Sequence, residues 1–385
     1  MTGGKPSWDV FCRVVDNYGD AAVCWRLAQD LAREHGTVRM FIDEPGALQA
    51  LRPEVDASLE AQTVEGVDLR RWDESTAWGI PADILVEGFG CGTPGTYLDA
   101  KARARPGSLW IVLEYLSAEA WVADRHGLPS PPPRLPLDRY FYFPGFTRHS
   151  GGLLREADYG ARARAFADDP RARERLWHRL GFDLPPEGHR VVSVFAYENR
   201  AVAPLFSAWA EGDRPMIAAV PNGRVRPGVA EWLDEQGGTD GAAFRRGSLE
   251  VRYIPFQSQP EYDELLWACD WNFVRGEDSF VRAQWAARPF VWQPYPQDEG
   301  ADDAKQEAFL ALYAAPLDAE ERNALRTLWR GWSGFDPQAL PRLGEVWRLL
   351  DSRRGRLERN ARDWSERMEK LGDLASNLAE FCRKR

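Results

Sequence analysis

Short apolar runs alternate with helical segments along most of this 385-residue chain, and this alternation limits the possible folds more than any other feature. Most runs lead into a polar or glycine-containing loop and then a helix, which is typical of right-handed βαβ units around a parallel sheet. The predicted strands are 8–15, 38–42, 84–87, 109–113, 191–195, 216–220, 251–254, 271–274 and 289–292. The predicted helices are 21–33, 96–105, 162–180, 204–210, 227–236, 260–268, 279–286, one that begins at about 303, and a helical region from about 340 to 385.

The pattern pauses at 181–188 and then restarts, so we predict two α/β domains with a cleft between them. We place these domains at 1–182 and 183–358, with a C-terminal helix over 359–385. The length agrees, because a chain of this size corresponds to about 2.6 domains. Ligands of parallel sheets bind beyond the carboxyl ends of the strands, so the loops after the strands are the candidate sites.

Charge and composition exclude several classes of protein. The formal net charge of −10 disfavours a nucleic-acid partner, since phosphate contacts need a basic surface, and favours a partner that presents a cation. No apolar run reaches the length of a membrane span. The five cysteines are too far apart for a CxxC site, so we expect reduced thiols in a cytoplasmic protein. The five histidines are never four residues apart, and we predict no metal site.

The first predicted strand ends in an acidic loop, Asp16-Asn17-Tyr18-Gly19-Asp20, at the start of a helix. Two interpretations of its carboxylates stay open. Asp20 either caps the helix, where the helix dipole favours an anion, or it forms with Asp16 a pair of acceptors. Such a pair could bind a cation or remove a proton as a general base.

A second polar loop, Arg275-Gly276-Glu277-Asp278-Ser279, joins strand 271–274 to a helix. Backbone N–H groups at a helix N-terminus bind anions, and Arg275 adds a planar, permanent charge suited to phosphate. Capping by Asp278 and Ser279 is the alternative. It does not explain why Arg, Glu and Asp share one loop, so we favour a diphosphate site. Aromatic and amide groups that could hold a nucleotide base follow other strands of this half: Phe195, Tyr197, Phe256, Gln257, Gln259, Gln293, Tyr295 and Gln297.

A glycine-rich loop, Gly90–Gly95, matches the G-x-G-x-x-G pattern of dinucleotide sites. Glu114 follows about 20 residues later, where such sites carry a ribose-binding acid. The loop does not follow the first strand, however, and Pro94 removes a backbone N–H where pyrophosphate needs donors. An NAD-dependent oxidoreductase is therefore one alternative function. A non-catalytic interaction protein with an acidic, tryptophan-rich surface is another.

Longer strings of residues are more specific than these general patterns. They are Phe11-Cys12-Arg13-Val14-Val15-Asp16-Asn17-Tyr18-Gly19-Asp20, Val23-Cys24-Trp25-Arg26-Leu27-Ala28, Leu113–Glu119, Trp271–Ala286 and Tyr295-Pro296-Gln297. They resemble the bacterial elongation factor P arginine rhamnosyltransferase family, from the first strand to at least residue 312. The resemblance implies a GT-B glycosyltransferase fold, which has two facing Rossmann-like domains, a cleft between them and a helical C-terminus that packs back on the first domain.

The resemblance also implies a reaction. It is the inverting, metal-independent transfer of L-rhamnose from dTDP-β-L-rhamnose to a loop-tip arginine of translation elongation factor P, without a cofactor. The first domain would bind the protein acceptor and the second the nucleotide sugar. Asp20 matches the family's general base, Asp16 its neighbouring carboxylate and Glu277 a second catalytic carboxylate. The expected donor-binding residues are Asn17, Gly19, Phe195, Tyr197, Phe256, Gln259, Arg275, Asp278, Ser279 and Tyr295.

Two positions depart from the family pattern. Gln257-Ser258 precede Gln259, where an aliphatic residue and often proline are expected, and Ala21-Ala22 follow Asp20. The acceptor contacts do not carry over from the family. Our candidates for them are the acidic strand-end residues Glu87 and Glu114.

Overall fold

Strands and helices alternate through the computed structural model, which describes residues 4–15, 18–73, 75–235, 242–297 and 300–385. The strands are β1 (Ser7–Cys12), β2 (Thr37–Ile42), β3 (Ala61–Val64), β4 (Val67–Arg71), β5 (Ile84–Gly88), β6 (Leu109–Leu113), β7 (Asp138–Tyr142), β8 (Arg190–Val194), β9 (Met216–Pro221), β10 (Ala243–Arg246), β11 (Leu249–Ile254), β12 (Trp271–Arg275) and β13 (Phe290–Gln293). The helices are α1 (Gly19–Glu34), α2 (Pro45–Leu51), α3 (Gly95–Ala104), α4 (Trp121–Arg125), α5 (Tyr159–Asp168), α6 (Ala172–Arg179), α7 (Val202–Glu211), α8 (Arg226–Glu235), α9 (Gln259–Ala268), α10 (Asp278–Trp285), α11 (Ala301–Tyr313), α12 (Ala319–Ser333), α13 (Leu343–Ser352), α14 (Arg354–Glu369) and α15 (Leu374–Arg383), with a 3₁₀ helix at Pro337–Arg342.

The chain divides into two compact units. The first contains 1–157 and 368–385, and the second contains 158–367. The first boundary lies before α5, whereas the sequence placed it after residue 182. The reason is that α5 and α6 pack on α9. In that contact, Arg162 donates to Asp263 of α9 at 3.0 Å.

The last residues return to the first unit from 368 onwards, and the sequence placed this return at a C-terminal helix over 359–385. Helix α15 packs on α1. The backbone N–H of Leu374 donates to the carbonyl of Leu153 at 3.0 Å, and the Asn377 side chain donates to the carbonyl of Gly151 at 3.0 Å. Backbone and side-chain contacts therefore both anchor this terminus.

The first unit contains a seven-stranded sheet in the order β3-β4-β2-β1-β5-β6-β7. Only the β3–β4 pair is antiparallel. Phe11 on the central strand β1 pairs with Phe41 on one side and with Glu87 on the other. Its ring stacks on Phe41 at 4.6 Å and contacts Tyr97 edge-on at 4.7 Å. The strand order reverses at β1 and β5, so the ligand-binding crevice of such a sheet lies after these two strands.

The second unit contains a six-stranded sheet in the order β10-β11-β9-β8-β12-β13. Strand β10 is antiparallel to β11, and the other pairs are parallel. The two central strands are β9 and β8, and the order reverses between β8 and β12. Phe273 of β12 pairs with Val194 of β8, while Arg275 pairs with Gln293 of β13. The crevice of this sheet therefore lies at the loops after Val194 and Arg275.

Most of the tryptophan side chains described by the structure lie in the core. Those among the largest fully buried side chains are Trp8, Trp25, Trp177, Trp209, Trp232, Trp271, Trp329 and Trp332. In the second unit they join aromatic contacts, such as that between Phe273 and Trp332 at 4.5 Å. Among the described tryptophans, Trp121 has a largely exposed side chain, at 43% relative exposure. A tryptophan-rich surface is therefore not present in this part of the chain.

The single helix predicted over 162–180 is wrong. The structure has two helices, because Pro170 lies between α5 and α6 and a proline ring is incompatible with a helix interior. The hairpin of β3 and β4 was not predicted. Its turn, Glu65-Gly66, has positive φ at both residues, as a two-residue hairpin turn requires.

The five cysteines all carry free thiols, as the sequence indicated, and four of them are buried. Burial raises the pKa of the Cys269 thiol well above its usual range. The Cys269 thiol is therefore a protonated side chain of the core. Across the described residues, no helix combines the length and the apolar character that crossing a membrane would need.

One buried carboxylate of α1 lacks hydrogen-bond donors among the described residues. Asp30 is 7% exposed, and neither of its oxygens accepts a hydrogen bond there. Arg33 lies 4.0 Å from it. Burial, followed by repulsion from Glu156, raises the pKa of Asp30 from 3.8 to about 7. The folded state therefore binds this proton more tightly than the unfolded chain does, and stability falls as the pH rises between these two values.

We expect Asp30→Asn to raise the free energy of unfolding at pH 8 by on the order of 2 kcal/mol, because the amide removes the cost of a buried charge. At pH 5 the folded wild type is already protonated, so the effect should be much smaller. Urea unfolding at both pH values measures this difference. Equal effects at the two pH values would contradict the assigned pKa.

Candidate active site

Asp20 lies in the first turn of α1, at the carboxyl end of the central strand of the first unit. It is buried. Its Oδ2 accepts the backbone N–H of Val15 at 2.8 Å, and the hydroxyl of Tyr115 donates to its Oδ1 at 3.4 Å. The N-cap of α1 is Tyr18, so Asp20 does not cap the helix. Its carboxylate is instead oriented by donors from the loops after β1 and β6, which is the geometry of a fixed proton acceptor.

The rest of the acidic loop is described only in part. Asp16 and Asn17 lie outside the described residues, so their catalytic and donor-binding roles stay predictions. Gly19 is the first residue of α1. It therefore places Asp20 at the start of the helix.

An aromatic pair beside Asp20 was missed by sequence reasoning. Phe89, directly after β5, stacks on Tyr115 with ring centroids 4.4 Å apart and planes 12° apart. Phe89 has a φ of +55°, and this backbone conformation is energetically unfavourable for a residue with a large side chain. Its N–H donates to the carbonyl of Leu113 at 2.6 Å, which helps to hold this conformation. The pair forms an aromatic surface next to the candidate base.

Glu87 is buried and accepts hydrogen bonds from backbone N–H groups of the loop that follows it. Its Oε1 accepts the N–H of Gly92 at 2.8 Å and that of Thr93 at 3.3 Å. Its Oε2 accepts the indole N–H of Trp110 at 2.8 Å. The loop over Gly90–Gly95 therefore directs N–H groups at a carboxylate, which occupies them and repels a pyrophosphate.

Glu87 and Glu114, the two predicted contacts of the protein acceptor, differ in their surroundings. Glu87 is buried, whereas Glu114 is half-buried directly after β6. The N–H of Glu114 donates to the carbonyl of Tyr142 at 2.9 Å, which extends the pairing of β6 with β7. An acceptor contact by either side chain stays a prediction.

Arg275 is the centre of the candidate donor site in the second unit. It ends β12 and is 7% exposed. Its guanidinium carbon lies 4.4 Å from the ring centroid of Phe195 and 4.6 Å from that of Tyr197, both in the loop after β8. The predicted cation and the predicted aromatic residues are thus in contact at the reversal of strand order. This is a cation–π arrangement that holds the guanidinium in a fixed plane.

Ser279 shapes this loop through the Arg275 main chain. The Ser279 hydroxyl accepts the N–H of Arg275 at 3.0 Å and donates to the Arg275 carbonyl. Gly276 has a φ of +57°, which favours glycine at the turn. Glu277 is the N-cap of α10. These contacts place backbone N–H groups at the start of α10 beside the Arg275 loop.

The other predicted donor residues surround the same edge of the sheet. Gln259 begins α9, and its amide donates to Asp278 at the start of α10 at 3.4 Å. The N–H of Tyr197 donates to the side-chain oxygen of Gln293 at 2.9 Å, and its ring contacts Tyr295 edge-on at 5.7 Å. Phe256 is half-buried in the loop after β11. Loops after four strands therefore converge here. In the ranges that the structure covers, no group of three or more His, Cys, Asp or Glu side chains could hold a metal ion.

Comparison with known proteins identifies the family. The family model described as "Elongation-Factor P (EF-P) rhamnosyltransferase EarP" matches residues 8–383. The chain belongs to this family. A protein-arginine rhamnosyltransferase of Pseudomonas putida is 45% identical over 382 residues, covering 98% of this chain and 99% of that protein. One of Pseudomonas aeruginosa is 43% identical over 376 residues, covering 97% and 98%.

Solved structures agree with membership of the EarP family. A structure from a study of EarP-mediated arginine glycosylation of translation elongation factor EF-P has a TM-score of 0.69 and 34% identity, and the match covers 99% of each chain. A UDP-GlcNAc 2-epimerase of Neisseria meningitidis bound to UDP-GlcNAc has a TM-score of 0.52 at 11% identity, which shows a shared fold alone. The predicted family and GT-B fold are confirmed, and the protein is a glycosyltransferase. The oxidoreductase and the non-catalytic alternatives are therefore set aside.

The contacts of Glu87 generate a prediction. Glu87→Ala should lower the free energy of unfolding by about 2 kcal/mol, because buried N–H groups of the loop and Trp110 lose their acceptor. Glu87→Gln keeps an acceptor oxygen and should lose less. Urea unfolding of both variants measures the effect. Unchanged stability together with a raised KM for the protein acceptor would instead assign Glu87 to acceptor binding.

Proposed function

We propose that the protein transfers L-rhamnose from dTDP-β-L-rhamnose to a loop-tip arginine of translation elongation factor P, with inversion and without a metal ion or other cofactor. Relatives across nearly the whole chain are protein-arginine rhamnosyltransferases, and the solved relative concerns arginine glycosylation of EF-P. The observation in this chain that best supports the donor class is the contact of Arg275 with Phe195 and Tyr197.

The second unit would bind the nucleotide sugar at this edge of its sheet. Arg275 and the N–H groups at the start of α10 suit the diphosphate, because a guanidinium is a permanent cation that pairs with two phosphate oxygens. Phe256 and Tyr197 offer ring faces for the thymine base. Gln259 and Asp278, which are hydrogen-bonded to each other, offer polar atoms for hydroxyl groups of the donor.

Asp20 would act as the base in the first unit. The guanidinium of an arginine has a pKa above about 12, so it reacts as a nucleophile only when a proton leaves as the bond forms. Donors from Val15 and Tyr115 hold the Asp20 carboxylate in place. A negative charge held in position binds the guanidinium, localises its charge and accepts the proton. Asp16 would assist in orienting the acceptor, and Glu114 is a further candidate contact.

The transfer balances without an added reagent. A guanidinium nitrogen forms a bond to the anomeric carbon of rhamnose, while the bond from that carbon to the diphosphate oxygen breaks on the opposite face. The proton passes to Asp20, and dTDP leaves with the bonding electrons. Arg275 and the N–H groups at the start of α10 would stabilise the negative charge that builds up on the leaving diphosphate. In other enzymes a metal ion neutralises this charge. Glu277, at the N-cap of α10, would stabilise the positive charge that develops on the sugar.

Intact-mass spectrometry of EF-P after incubation with the enzyme and dTDP-β-L-rhamnose tests this function. We expect the mass of one deoxyhexose on EF-P, located on one arginine by fragmentation. EF-P with that arginine replaced by lysine is the control and should stay unmodified. Unmodified wild-type EF-P, or equal transfer from UDP-glucose, would contradict the proposal.

Asp20→Asn should lower kcat by at least about a hundredfold, because the amide keeps the shape of the side chain but cannot take the proton. Asp43→Asn is the matched control, since Asp43 accepts the N–H of Val14 at 3.0 Å much as Asp20 accepts that of Val15. The control should retain activity. Near-normal turnover by a folded Asp20→Asn enzyme would refute the assignment of the base.

A further inference from the structure

Two helices carry matched pairs of polar residues at the candidate donor site. Gln259 and Asp263 are four residues apart on α9, and Asp278 and Arg282 are four residues apart on α10. Residues at this spacing lie on one face of a helix. The first member of each pair is an expected donor contact at the start of its helix. The second member lies one turn deeper in the protein and has no role in the proposed reaction.

Arg282 joins the two deeper positions. Its Nε donates to Asp278 Oδ2 at 3.1 Å, and its Nη1 donates to Asp263 Oδ1 at 2.9 Å. Its side chain is 2% exposed and that of Asp263 is 0% exposed. The planar guanidinium thus holds carboxylates of two helices at once, which the point charge of a lysine cannot reproduce.

The chain of charges continues away from the donor loops. Arg162 of α5 donates to Asp263 Oδ2 at 3.0 Å, and its guanidinium lies 5.8 Å from the ring centroid of Trp267. Positive and negative groups therefore alternate from Arg162 through Asp263 and Arg282 to Asp278. At the far end, Asp278 Oδ2 also accepts the amide of Gln259. This line is buried at Asp263 and Arg282 and reaches partial exposure at Arg162.

Such a network is an expensive way to stabilise a fold, because buried charges lose their hydration. What it provides here is orientation. With Oδ2 of Asp278 held by Arg282 and Gln259, the rotation of the carboxylate is restricted. The first turns of α9 and α10 are also kept at a fixed separation.

We infer that Arg282, supported by Asp263, is a positioning residue of the donor site. It fixes the orientation of the Asp278 carboxylate and the Gln259 amide so that both can contact the nucleotide sugar. This inference rests on the proposed donor site. Arg282 acts through Asp278 and does not itself contact substrate. Its loss should therefore weaken donor binding and leave acceptor binding unchanged.

The test compares Arg282→Lys with wild type. Calorimetry with dTDP should show affinity reduced about tenfold, as expected for the loss of one charge-assisted hydrogen bond. With dTDP-β-L-rhamnose, the donor KM should rise by a similar factor, with kcat and the acceptor KM little changed. Asp263→Asn should produce the same pattern. The variant that combines Arg282→Lys and Asp263→Asn should lose less binding free energy for dTDP than the sum of the two single losses, because both substitutions act through one network.

Arg190→Lys is the matched control. Arg190 is also buried and contacts two carboxylates, Asp351 at 2.6 Å and Asp270 at 3.4 Å, but it lies at the amino end of β8, the opposite edge of the same sheet. The Arg190→Lys substitution should lower the thermal stability of the protein without changing its affinity for dTDP.

The outcomes separate this inference from the proposed function. If the wild type does not bind dTDP, the donor assignment itself fails. If the wild type binds dTDP and a folded Arg282→Lys variant binds it equally well, the positioning role is refuted. An equal loss of dTDP affinity in Arg190→Lys would also refute it, because the effect would then be one of general stability.

Discussion

A parallel sheet directs every strand's carboxyl end to one edge, and the chain then has to cross over a face of the sheet to begin the next strand. Where the crossovers change from one face to the other, neighbouring loops diverge and leave a crevice that packing does not fill. In this protein the change occurs between β1 and β5 in one unit and between β8 and β12 in the other. Asp20 and Arg275 stand at these two points. The candidate chemistry of each unit therefore follows from its strand order.

The polar groups at these edges are held in place by neighbouring groups of the same unit. Asp20 is oriented by a backbone N–H and a tyrosine hydroxyl, and Arg275 by two aromatic rings. Asp278 is held by Arg282. Each arrangement restricts a charged side chain before any substrate arrives, so less of the binding energy is spent on ordering the site. Asp30 contrasts with them, because it is buried without donors among the described residues and its pKa rises to about 7.

Much of the architecture could be predicted, because buried parallel strands are continuous apolar runs and their helices have helical spacing. The predicted strands of both sheet centres are present. Four strands at or next to the sheet edges were missed, namely β3, β4, β7 and β10, because their residues are partly exposed and lack a continuous apolar run. The candidate donor loop around Arg275 was predicted from its composition, and its residues lie together in the structure. The partners of Glu87 and the Arg282 bridge were not, because they depend on contacts between residues far apart in the sequence. No local pattern contains that information.

Hydrogen–deuterium exchange of the full-length protein with and without dTDP tests most directly whether the second sheet's carboxyl edge is the donor site. The account predicts slower exchange in the loops after β8, β11, β12 and β13, around Tyr197, Gln259, Gly276 and Tyr295. The glycine-rich loop over Gly90–Gly95 should exchange at the same rate with and without the ligand. Protection confined to that loop, with no change around Arg275, would contradict the account.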